Sequence, residues 1–202
     1  MQVETIPQAL LWGILYIIMC MIQGDRKKQI ILVRHAKAEE RRDWKWSDFD
    51  RPLTCSWENS NCIVANYLRL IWLKPDRIVA SPSARTKGTA VGLAKKFSIP
   101  KIDYVDSLYN EETSLDRDPL AIHLGIVRKN KRDGKALMII GHNNDLSDFA
   151  EYLCGEAVPS MKKWAVIVLS VPDWVDWKNI QPGMLKFVYY LTPHFLRLEE
   201  LV

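Results

Sequence analysis

At 202 residues, 48% hydrophobic and 26% charged, the chain has the composition of an ordinary globular protein and is long enough for one sizeable domain. A net charge of +4 favours anionic ligands but falls short of the clustered basic face that a nucleic-acid partner requires; Lys27-Lys28, Arg41-Arg42 and Lys129 to Lys135 read as short solvated runs. The four cysteines form no C-x-x-C pair and none stands beside a histidine at ligand spacing, which argues against a zinc site and makes a reducing cytoplasm the simplest compartment.

From Thr5 to Gly24 no residue is charged, and Ala9 to Ile22 is apolar apart from Gly13. That block is shorter than the ~20 residues of a spanning helix. It also lacks the basic start and small-residue cleavage site of a signal peptide. Residues 1–28 are therefore read as an extension preceding a single domain over residues 29–202. Three readings of it stay open: an upstream start ahead of initiation near Met19 or Met21, a weak membrane anchor, or a helix packed on the domain.

Gln29 to Val33 is a short apolar run that fits a strand buried on both faces, as in a parallel sheet. It runs into Arg34 and His35. In open parallel sheets ligands bind beyond the carboxyl ends of the strands, where these two residues stand. Ala36 to Pro52 follows directly, charged and aromatic, with Trp44, Trp46 and Phe49 among its acidic and basic residues. It should border the site, either as a pinned surface loop or as a wall that helps select the substrate.

Thr54 is suited to cap the next helix, in which Ile63, Val64, Tyr67, Leu68 and Ile71 recur at helical spacing. Arg77 to Ala80 is a second buried-strand candidate and leads into Ser81-Pro82-Ser83-Ala84-Arg85-Thr86. A helix over Arg85 to Phe97 would turn Val91, Leu93, Ala94 and Phe97 inward, with Gly88 and Gly92 allowing close packing on the sheet. Ile99 to Val105 holds a short strand, and Asp106 to Ser114 reads as an irregular loop. Asp118-Pro119 opens a helix to about Lys129. Ala136 to Ile140 is the third buried strand, ending in Gly141-His142-Asn143-Asn144. Asn144 or Asp145 then caps a helix striped by Leu146, Phe149, Ala150, Leu153 and Cys154 and stopped by Gly155. Ala165 to Val171 and Met184 to Leu191 read as an antiparallel pair. The fold expected is a three-layer α/β/α sandwich, its central sheet mostly parallel with an antiparallel edge near the C-terminus.

Three strands thus deliver two arginines and two histidines to one sheet edge. These residues resemble the histidine phosphatase superfamily, and above all its short SixA-type branch of phosphohistidine phosphatases. Arg34-His35-Ala36-Lys37-Ala38-Glu39, Arg51-Pro52-Leu53-Thr54, Ser81-Pro82-Ser83-Ala84-Arg85-Thr86 with Thr89-Ala90, and Gly141-His142-Asn143 match its blocks in order. The likeness covers roughly residues 29 to 193.

The resemblance implies a hydrolase that passes through a covalent phosphohistidine, with His35 as nucleophile because it follows arginine in the first block. Arg34 and Arg85 suit bidentate phosphate binding. Positive neighbours should keep the His35 imidazole neutral. His142 would stabilise charge on the transferring phosphoryl group. Lys37 and Asn143, close to the two histidines in sequence, are expected to contact substrate. With this much positive charge no metal or other cofactor is expected. Larger relatives place an acid in the loop corresponding to Asp106 to Glu112; here Asp106 and Glu111 are the candidates, and neither is clearly placed. That suits a phosphoramidate, so the expected substrate is phosphohistidine in a partner protein of a signalling system. A small phosphate monoester, such as a sugar phosphate or nucleotide, is the alternative; a non-catalytic phosphoprotein-binding module is another. His123 and His194 are expected to have no catalytic duty.

Overall fold

A computed structural model of the protein describes residues 27–40, 47–55, 57–109, 117–131 and 133–193. In it the apolar runs pair side by side, because a strand apolar on both faces is stable only with neighbours in its plane and helices above and below. The strands are β1 (Gln29–Arg34), β2 (Arg77–Ala80), β3 (Ile102–Tyr104), β4 (Ala136–Gly141), β5 (Val166–Ser170) and β6 (Lys186–Leu191). The helices are α1 (Trp57–Leu70), α2 (Ala84–Phe97), α3 (Pro119–Arg128) and α4 (Asp145–Cys154). Strand order in the sheet is β3-β2-β4-β1-β5-β6. The first four run parallel, while β5 pairs antiparallel with both β1 and β6.

Alternate residues of each strand face opposite layers. Ile31, Val33, Ile78, Met138 and Ile140 pack with Val64 and Leu68 of α1 and Leu93 and Phe97 of α2. Ile30, Leu32, Leu137 and Ile139 pack with Leu124 and Val127 of α3 and Leu146, Phe149 and Leu153 of α4. The result is the three-layer α/β/α sandwich, with the antiparallel edge where the sequence put it. β1 and β4 are adjacent and parallel, yet the chain leaves β1 toward the α1–α2 face and leaves β4 toward the α3–α4 face. That divergence opens a crevice at their carboxyl ends, the usual ligand position in such sheets.

The helix ends follow local chemistry. Asp118 accepts a hydrogen bond from the Ala121 amide at 3.0 Å, with Pro119 in the first turn. Gly155 closes α4 with φ of 71°, a left-handed conformation that costs glycine little. Three expectations are corrected. Thr54 does not stand immediately before α1, which starts at Trp57; its hydroxyl donates to the Lys37 carbonyl at 3.2 Å. Val91 points outward, 52% exposed, because Thr86, Thr89, Ala90 and Leu93 form the buried stripe. Gly88 makes room not for the sheet but for Leu53, whose Cδ1 would lie 2.6 Å from an added Cβ.

No helix among the described residues is long and apolar enough to cross a membrane. The apolar block of the N-terminal extension, Trp44, Trp46, Glu111 and His194 lie outside the described residues.

Candidate active site

The ladders of β1, β2 and β4 bring their outgoing residues together. The His35 amide donates to the Gly141 carbonyl at 3.1 Å and the Ser81 amide to the Ile140 carbonyl at 3.0 Å, so each strand end is pinned to β4. The His35 and His142 rings lie 5.2 Å apart, centre to centre. Around them is a cavity of about 460 Å³ lined by Arg34, Arg51, Arg85, Tyr109, Asn143, Asn144, Asp145 and Asp148.

His35 is buried, with 6% of its surface exposed. Its Nδ1 lies 2.7 Å from the Ala36 carbonyl. A carbonyl can only accept, so Nδ1 carries the proton and Nε2 keeps its lone pair. Burial pushes the imidazole pKa down to about 3; the Ala36 carbonyl opposes this, and the charges of Arg85, Arg34 and Arg51 add to it. The nucleophilic form is therefore the resting one.

His142 has the opposite tautomer. Arg85 Nη2 lies 3.4 Å from its Nδ1 and can only donate, so Nδ1 accepts. Nε2–H then donates to Ser81 Oγ at 3.0 Å, with Ser83 Oγ at 3.4 Å. Ser83 also lies 2.8 Å from Thr86 Oγ1, so the turn entering α2 is tied to this imidazole. Burial, then Arg85 and His35, push the His142 pKa down to about 2.

The arginines are braced from behind. Arg34 donates through Nη1 to the Met161 carbonyl at 2.5 Å. The Met161 amide donates to Ser147 Oγ at 3.0 Å, and that hydroxyl donates to Asn143 Oδ1 at 2.6 Å. Asn143 is thereby turned into a network that links α4 to Arg34. Arg85 donates through Nη2 to Asp48 Oδ2 at 2.8 Å and through Nη1 to the Asp48 carbonyl. The Nε atoms of both Arg34 and Arg85 are buried without a protein partner. A buried guanidinium N–H with no acceptor is costly unless a ligand supplies one.

Arg34, His35, Arg85 and His142, the four residues singled out from the strand ends, converge on this cavity, and Asn143 lines it. Lys37 is exposed and outside the lining, as is Asp106. Glu111 is beyond the described residues. Sequence reasoning missed Arg51, Tyr109 and Asp48 as site residues. Arg51 stood in a matched block and could have been found there. The loop over Ala36 to Pro52 does border the site through Asp48, Phe49 and Arg51. His123 is buried away from it, its Nδ1 2.6 Å from the Pro119 carbonyl. Among the described residues no three His, Cys, Asp or Glu side chains are grouped as a metal site would need.

The depressed imidazoles make stability depend on pH. The unfolded chain takes up protons near pH 6.5, whereas the folded site refuses them until about pH 3 at His35 and about pH 2 at His142. Stability is thus fully present above about pH 6.5 and lost as pH falls below it, by up to about 1.4 kcal/mol per pH unit for each histidine. Thermal melts between pH 7.5 and 4.5 should show a falling Tm, and the double variant His35→Asn/His142→Asn a flatter slope. An unchanged slope in that variant would contradict the assignment.

Neither a protein-family model nor a curated protein matches the chain. Solved structures do. One assigned to the phosphohistidine phosphatase SixA from Agrobacterium tumefaciens is 24% identical, with a TM-score of 0.66, over 82% of this chain and 99% of that one. The protein histidine phosphatase SixA complexed with tungstate is 20% identical, with a TM-score of 0.65, over 83% and 99% of the two chains. A mycobacterial glucosyl-3-phosphoglycerate phosphatase is 12% identical, with a TM-score of 0.60, over 80% and 97%. The overall architecture agrees: the chain has the histidine phosphatase fold seen in the SixA structures.

Proposed function

We propose that the protein is a metal-independent phosphatase that works through a covalent phosphohistidine and acts on phosphohistidine in a partner protein. The observation that carries this reading is a neutral imidazole with a free Nε2 lone pair, His35, held in a cavity with three arginines. Such a cavity is built for a phosphoryl group, whose charge sits on its non-bridging oxygens. The likeness to SixA structures, one of them holding tungstate, supports the same reading.

His35 Nε2 attacks phosphorus, and the bond from phosphorus to the leaving nitrogen breaks. The leaving imidazole departs neutral because its other ring nitrogen already carries a proton in the substrate, and Nδ1–H of His35 stays on the Ala36 carbonyl. Water then attacks phosphorus, the Nε2–phosphorus bond breaks, and inorganic phosphate leaves with neutral His35 restored. Arg34, Arg51 and Arg85 offset the phosphoryl charge throughout. His142 Nδ1 takes a proton from solvent as the dianion arrives and then donates to it, because the added negative charge outweighs the burial that keeps the free imidazole neutral.

The leaving group decides between substrate classes. Among the described residues Asp145 and Asp148 are the carboxylates in the lining; Asp145 is paired with Arg117 at 2.7 Å, and Asp106, the acid candidate from the sequence, lies outside it. A nitrogen leaving group needs less help than an alkoxide. kcat/KM on a phosphohistidine protein should therefore exceed that on an unactivated alkyl phosphate by about 10²-fold or more, the scale of a missing general acid. An aryl phosphate should fall between them. A sugar phosphate turned over faster than the phosphohistidine protein would favour the small-monoester reading, which the likeness to a glucosyl-3-phosphoglycerate phosphatase keeps in view. Phosphate binding without turnover of any substrate would make the protein a binding module.

A further inference from the structure

Asp48 is the one carboxylate hydrogen-bonded to several cavity residues at once among those described. Its Oδ2 accepts from Arg85 Nη2 at 2.8 Å and from the Tyr109 hydroxyl at 3.1 Å. Its Oδ1 accepts from Arg51 Nη2 at 2.9 Å, and its main-chain carbonyl accepts from Arg85 Nη1. All three donors line the cavity. The loop that carries Asp48 is itself anchored: the Phe49 carbonyl accepts from the Ala84 amide at 2.9 Å, and Arg51 Nη1 donates to the Glu39 carbonyl at 3.1 Å.

The nitrogen that Asp48 holds, Arg85 Nη2, is the same one that faces His142 Nδ1 at 3.4 Å. The carboxylate is thus separated from the second histidine by a single guanidinium nitrogen. Both Nη atoms of Arg85 are committed to Asp48, and Nε alone is left without a protein partner. A phosphoryl dianion entering the cavity has to share this guanidinium with an anion already in place. Two like charges on one guanidinium repel, and with the Asp48 side chain about one-third exposed the repulsion is only partly screened.

We propose that Asp48 is a positioning residue with a second effect: it fixes Arg85, Arg51 and Tyr109 around the cavity, and its charge weakens the hold on inorganic phosphate so that product leaves. The inference rests on the reading of the cavity as a phosphoryl site. Asp48 is not the missing acid. Burial would raise its carboxyl, but the charge and hydrogen bond of Arg85, with Arg51 and Tyr109, hold it below the usual carboxylate range, so it has no proton to give near neutrality. A purely structural role and the proposed role differ in sign. Losing a brace should loosen phosphate, whereas losing a repelling charge should tighten it.

Asp48→Asn keeps the size and an oxygen acceptor and removes the charge; Asp48→Gln keeps an acceptor on a side chain one methylene longer, should the first variant fold poorly. Titration calorimetry with inorganic phosphate, paired with thermal melts, gives the test. Kd should fall about tenfold in either folded variant. KM and kcat for an aryl phosphate should fall together as product release slows. Phosphate bound equally or more weakly by a folded variant would overturn the inference while leaving the phosphatase reading intact. Failure of the wild-type protein to bind phosphate would instead overturn the reading of the cavity, and the inference with it.

Discussion

Replacing His35 with alanine should abolish turnover, with a loss on the order of 10⁶ in kcat, the scale expected when a covalent nucleophile is removed. The cavity would keep its arginines and still bind phosphate, so the loss should appear in kcat far more than in KM. The contrast with His142→Ala checks the division of labour. His142 offers one oriented donor, whose removal typically costs about 10²–10³ in rate. Single-turnover assays on an aryl phosphate measure both. A His35→Ala enzyme within tenfold of wild type would show that the chemistry runs elsewhere.

Arg85→Ala should bring the second largest loss, on the order of 10³–10⁵ in kcat/KM, the range for an arginine that stabilises phosphoryl-transfer charge. Three consequences meet at this residue. The phosphoryl group loses a donor, and His142 loses the nitrogen 3.4 Å from its Nδ1. Asp48 also loses its bond to Nη2 and keeps only Arg51 and Tyr109, so a less compensated negative charge remains beside the cavity. Arg85→Lys restores charge but not the planar fork that reaches Asp48 and His142 together, and should recover only part of the loss. Near-wild-type kcat/KM in Arg85→Ala would remove this arginine from the mechanism.

Much of this arrangement was legible in the residues. β1 and β4 are sealed between two helical layers, so their sequences are unbroken apolar runs, and the first polar residues after them mark the sheet edge. Arg34, His35 and His142 needed no more than that, and Arg85 follows from the first turn of the helix after β2. Asp48 was not legible. It is one of many charged residues in its loop, and its partners are chosen by a fold-back that pairs Ala38 with Leu53 across the loop. The same fold-back engages Thr54, whose hydroxyl donates to the Lys37 carbonyl. Val91 misled for a different reason: the buried stripe of α2 begins with Arg85, Thr86 and Thr89, which serve the site and its surroundings. A hydrophobic pattern alone sets such a helix in the wrong phase. Tyr109 was seen only as part of an irregular loop, yet its ring packs edge-on against both Phe49 and His142.

The central claim is that phosphate passes through a covalent bond to His35 Nε2. Its most direct measurement is rapid acid-free quenching of the enzyme with a radiolabelled phosphoryl substrate, followed by peptide mapping. The expected label is alkali-stable and acid-labile, as a phosphoramidate is, and maps to the peptide containing His35 in the wild type and in His142→Ala, but is absent from His35→Ala. Label that survives acid but not alkali, or that maps to any other residue, or an enzyme that turns over without ever being labelled, would contradict the account.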